Sequence, residues 1–104
     1  MGAATFYVLT RGQTATQAFN EAVREAQYEY GHGGYTGTIA EKGEFVLIDT
    51  QTFYTRATVM ARAEELIDSQ DPRVDDKWGP AGALQVKDEA SIGPEYLFFG
   101  WASE

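Results

Sequence analysis

Residues 95–102, EYLFFGWA, set Leu97, Phe99 and Trp101 on one face of an extended chain and Tyr96, Phe98 and Ala102 on the other. A half-exposed strand alternates apolar with polar side chains, so a stretch apolar on both faces lies in the middle of a sheet or under another subunit. The rest of the chain has to supply the cover. Just upstream, ALQVK (83–87) alternates with Leu84 and Val86 inward and reads as a companion strand. Near the N-terminus, TFYVLTR (5–11) places Phe6, Val8 and Thr10 on one side and Tyr7 and Leu9 on the other, which again suits an interior strand.

Two helices are legible between these strands. TATQ (14–17) has the form of a capping box, in which the Thr14 hydroxyl and the Gln17 side chain satisfy amides that a first helical turn leaves free. From Ala15 on, Ala18, Phe19, Ala22, Val23, Ala26 and Tyr30 recur at steps of three and four, with Glu21, Arg24, Glu25 and Glu29 on other faces. Gly31 then suits the positive-φ position that closes many helices. A second helix is expected from about Thr55 to Ser69, with Val59, Met60, Ala63, Leu66 and Ile67 as its apolar stripe and Asp71-Pro72 as its stop. Between the helices, TGTIAE (36–41) and EFVLID (44–49) flank Lys42-Gly43 and read as an antiparallel hairpin with Gly43 at positive φ. DPRVDDKWGPAGA (71–83) reads as a long connection in which Trp78 should find a surface to bury against.

The resulting order, β-α-β-β-α-β-β, predicts an α+β domain with two helices packed on one face of a mostly antiparallel sheet, ferredoxin-like or related. A two-layer domain leaves one sheet face open. Tyr7, Leu9 and Phe98, or the residues opposite them, would then form a homo-oligomer surface through the sheet or its C-terminal strand. The 104 residues fit one domain, 1–104, and the 43% apolar fraction is that of a folded protein.

Composition narrows the function classes. With no cysteine, disulfides, thiolate metal sites and a cysteine nucleophile are excluded. MGAATFYVLT lacks a basic region and a long apolar run, which points to a soluble, cytoplasmic protein; Phe6 departs from a myristoylation pattern. The net charge of -8 disfavours direct contact with nucleic acid or an anionic membrane and favours a basic partner. The candidate acidic contact residues are Asp68, Asp71, Asp75, Asp76, Asp88 and Glu89, which would bind such a protein or mimic nucleic acid, unless they only solubilise.

Chemistry has one obvious locus. His32 is the only histidine, and a catalytic reading would use it as general acid or base with Tyr35. No serine stands in a nucleophile-elbow context, and no element carries ligand spacing, so no metal and no cofactor are expected. Gly31, Gly33, Gly34 and Gly37 miss dinucleotide spacing and follow a helix C-terminus, whose partial charge repels phosphate. Glycine-rich backbone can still form an amide nest, and hydroxyls and rings surround it. The candidate ligand-binding set is therefore Tyr30, His32, Gly33, Gly34, Tyr35, Thr36 and Thr38.

EYGHGGYTGTIAEK (29–42), preceded by the AFNEAVREAQ helix, resembles a motif in short uncharacterised proteins of phages and mobile elements, over about residues 14–48. The resemblance implies a context of small acidic proteins that bind and block host machinery, defence systems included. Together these readings lead to a non-enzymatic phage-type binding protein that acts on a host protein or a small nucleotide-like signal. A small nucleotide or phosphoester enzyme, an acidic nucleic-acid mimic and an oligomeric virion or scaffold component are the alternatives.

Overall fold

The computed structural model describes residues 2–89 and 91–104. Its elements are β1 (Ala3–Arg11), α1 (Ala15–Tyr30), a 3-10 turn (Ile39–Glu41), β2 (Phe45–Leu47), α2 (Arg56–Asp68), β3 (Ala81–Val86) and β4 (Glu95–Ser103). The strands form one sheet in the order β1-β4-β3-β2. β4 pairs antiparallel with β1 and β3, whereas β2 pairs parallel with β3. The domain is α+β, as expected, with a mixed sheet.

The double-sided β4 stretch is explained inside the chain. Phe98 and Ala102 join Phe6, Ala81, Ala83 and the α1 residues Ala18, Phe19, Ala22 and Ala26 in one buried cluster. Leu97 and Phe99 join Leu84, Val86, Val74 and the α2 residues Val59, Ala63, Leu66 and Ile67 in another. Neighbouring β4 residues point to opposite faces, so α1 and α2 cover opposite sides. This corrects the expected two-layer, ferredoxin-like arrangement: the sheet is sandwiched between its helices, and the open face that suggested an oligomer surface is covered. A middle strand buried on both sides needs apolar residues at every position, which is why β4 does not alternate.

Close packing sets individual residues. Phe98 is fully buried, its ring 5.5 Å from that of Phe19 and 5.7 Å from that of Phe45. On the other face, a β-carbon at Gly82 would come within 2.6 Å of the Phe99 ring and 2.7 Å of Val74 Cγ1, so only glycine lets Phe99 cross β3 there.

The cap read at Thr14 is present, and α2 has one of its own that the sequence reading did not name. Thr14 accepts from Gln17 N at 3.1 Å and the Gln17 side chain reaches Gln13 N. Thr55 and Thr58 form a reciprocal box at the start of α2. The hairpin does not form. Thr38 Oγ1 accepts from Ala40 N and caps the 3-10 turn, and the Ile39 side chain that an alternating strand would share with a partner is buried under α1 instead. Local hydroxyl-to-backbone bonding has displaced a ladder. Gly43 is not among the positive-φ residues, and Met60, expected inside α2's stripe, is 38% exposed.

Candidate functional site

The loop after α1 is built by its glycines and tied at three points. Gly31 (φ 85), Gly34 (φ 87) and Gly37 (φ 71) take conformations that strain any residue with a β-carbon. Gly31 N returns to Gln27 O and ends the helix, while the loop's far side is sewn to β4 by Ser103, whose hydroxyl donates to Gly34 O (2.9 Å) and whose carbonyl accepts from Gly37 N (2.7 Å). Within the loop, the Thr36 hydroxyl donates to Glu41 Oε2 at 2.7 Å and lies 2.8 Å from the Thr38 hydroxyl. The hydroxyls of Thr36 and Thr38, both in the expected ligand set, are thus engaged in shaping the loop.

A second loop meets the first. Lys42, read from sequence as a turn residue, is only 4% exposed, and its ammonium donates to the carbonyls of Asp76, Lys77 and Gly79 at 3.3, 3.2 and 2.8 Å. Burial pushes its pKa down, with Asp76 opposing the shift. Asp76 Oδ1 also accepts from Trp78 N at 2.8 Å. These bonds hold Trp78 outward rather than against the core: it is 66% exposed, contrary to the expectation that it would bury. Its ring stands edge to face with that of Tyr35 at 6.4 Å, and the Lys77 ammonium lies 5.3 Å from it.

The sequence-derived ligand set is thereby divided. Tyr35 joins Trp78 and Lys77 in an exposed aromatic pair beside a cation. Tyr30 and Thr38 line a different feature, a groove along β1 and α1. His32 and Gly33 are exposed and join neither. Trp78 and Lys42 are the functional candidates that sequence reasoning placed wrongly, and a tryptophan in a glycine- and aspartate-rich loop was the available signal.

The acidic set is also dispersed. Asp71 binds Arg73 through both carboxylate oxygens, and that guanidinium holds its pKa at about 2. Asp76 is spent on its own turn, and Asp88 accepts from Arg56 N at 2.6 Å. Asp68, Asp75 and Glu89 are exposed. Asp75 and Asp76 precede β3 and Asp88 and Glu89 follow it, so the strand's length separates them.

A depression of about 380 Å³, lined by Phe53, Lys87, Ser91, Glu95 and Tyr96 among others, was not foreseen. Its buried carboxylate, Glu95, is already matched by Arg56 (3.1 and 2.7 Å) and Ser91 (2.8 Å), which depress its pKa. Among the described residues, no three histidine, aspartate or glutamate side chains gather as a metal set, and no helix is long and apolar enough to cross a membrane. Compared with protein-family models, curated proteins and solved structures, the chain finds a match in none of the three.

Proposed function

We propose that this chain is a non-enzymatic, phage-type binding protein that blocks or sequesters a host factor, with Tyr35 and Trp78 as its principal contact. The observation that carries the reading is the pair of exposed rings on two loops that are themselves fixed, one by Ser103 and one by Lys42. Surface tryptophan and tyrosine in rigid settings are the residues that dominate recognition, because they bury a large area at little entropic cost. Lys77 beside the Trp78 ring favours a planar group carrying negative charge, which describes a nucleotide-like signal. The resemblance of the 29–42 stretch to phage and mobile-element proteins supports the host setting.

Titration with a panel of mono- and dinucleotides, alongside capture of host proteins, tests this directly. Trp78→Ala and Tyr35→Ala should each weaken the bound nucleotide at least about tenfold without moving the thermal midpoint. His32→Ala should leave binding unchanged. Capture that survives the double aromatic variant would refute the assignment, and turnover of a nucleotide lost on His32→Ala would establish the enzymatic alternative.

A further inference from the structure

β1 is an edge strand, and its hydrogen-bonding parity is fixed by its ends. Gly2 and Glu104 exchange both backbone bonds at 3.2 Å, and Gly12 N donates to Pro94 O at 3.2 Å. In an antiparallel ladder such pairs alternate, so the even residues of β1 bond to β4 and every odd residue turns its N–H and C=O away from the sheet. Those odd residues are Ala3, Thr5, Tyr7, Leu9 and Arg11. Their outward backbone groups have no hydrogen-bond partner among the described residues.

Edges of this length are normally blunted by proline, lysine, an inward charge or a bulge. The stretch AATFYVLTR has none of these before Arg11, and its register against β4 is unbroken. Leu9 is 41% exposed at that edge. The walls on either side are acidic. On the α1 face, a groove of about 360 Å³ runs along Thr5, Phe6, Tyr7 and Val8 and carries Glu25 and Glu29. On the α2 face, Glu64 and Asp68 lie close enough to Tyr7 to act on its phenol, which burial and these two carboxylates push above its usual pKa. None of the four acids has an ion-pair partner among the described residues.

We infer that the free edge of β1 accepts an extended basic segment of another protein as an added strand. Backbone bonds from the odd residues supply affinity, and the acids flanking both faces select lysine or arginine at alternating positions on each side of the incoming strand. A second copy of this chain fits less well, because antiparallel pairing of two β1 strands brings Glu25, Glu29, Glu64 and Asp68 of both copies towards one another. This surface is separate from the Tyr35–Trp78 pair, so either assignment can fail alone.

The test uses a synthetic peptide of repeated Lys-Lys-Val-Val, which presents lysine and valine on both faces of a strand. Binding should slow amide exchange at Thr5, Tyr7, Leu9 and Arg11, leave the already protected even residues unchanged, and weaken as salt rises. Charge reversal at Glu25 and Glu29, or at Glu64 and Asp68, should each reduce affinity at least tenfold, and a Glu-Glu-Val-Val peptide should not bind. Leu9→Pro, which removes an outward N–H only, should abolish binding; Thr5→Lys, compatible with any edge strand, should weaken it and guards against misfolding of the proline variant. Binding without protection of the odd amides, or indifferent to both charge reversals, overturns the proposal. Concentration-dependent protection of the odd amides in the protein alone overturns it in favour of self-pairing.

Discussion

At the scale of single residues, the placement of charge was the least legible property. Lys42 looked like half of a turn because lysine and glycine are common there, yet its ammonium neutralises three carbonyl dipoles of a loop more than thirty residues away. Sequence spacing holds no information about such a contact. Lys42→Met keeps the aliphatic stem and removes the donor; it should cost about 1–3 kcal/mol and raise amide exchange at Gly79 and Trp78, read by hydrogen exchange and denaturant melts. Asp71 makes a pH prediction. Its folded pKa of about 2 lies below the 3.8 of an ordinary aspartate, so the unfolded chain takes up the proton first. The Asp71–Arg73 contribution is thus complete above about pH 4 to 5 and is lost as pH falls towards 2. In Arg73→Ala the carboxyl should titrate higher, observed by NMR, yet stay below its ordinary value because the backbone N–H of residue 73 still donates to it at 2.9 Å.

At the scale of elements, what could be read was whatever follows from local chemistry. The cap at Thr14 and the bounds of α2 come from local signals, and the structure places α2 at Arg56–Asp68 where the pattern put it. The 36–41 stretch failed for the same reason in reverse: its alternation resembled a strand, but Thr36, Thr38 and Glu41 satisfied one another locally. The face each helix covers is a property of chain crossing, not periodicity. Amphipathic stripes say only that α1 and α2 each bury one side. β4 held the missing clue, since residues apolar on both faces admit a helix on each. Phe98 is the joint of the α1 layer, between Phe19, Phe45 and Tyr96. Phe98→Ala should therefore cost about 3–5 kcal/mol in urea unfolding, with the slope of the transition unchanged.

At the scale of the whole molecule, the order of strands in the sheet reverses their order in the chain's importance. β1 and β2, formed early in the sequence, are the edges, while β4, the last element, lies between β1 and β3 and contributes to both cores. No pair among β1, β2 and β3 other than β2–β3 is in contact through a ladder, and that parallel ladder is three residues long. Short parallel pairing between strands is weak, and an isolated two-stranded unit is marginal in water. Neither helix then has a complete surface to pack on: α1 loses Phe98 and Ala102, and α2 loses Leu97 and Phe99. The fold thus depends on contacts between the two ends of the sequence, which carry a large loop-closure cost before they yield any packing. A chain truncated after Pro94 should retain at most fluctuating helix, with no cooperative thermal transition and broad, poorly dispersed amide resonances. Adding residues 95–104 back as a separate peptide should restore cooperative melting and protect the even amides of β1. A cooperative melt of the truncated chain alone would show that the two-sided strand is an addition to a core that already stands, and that its apolar faces must be explained in another way.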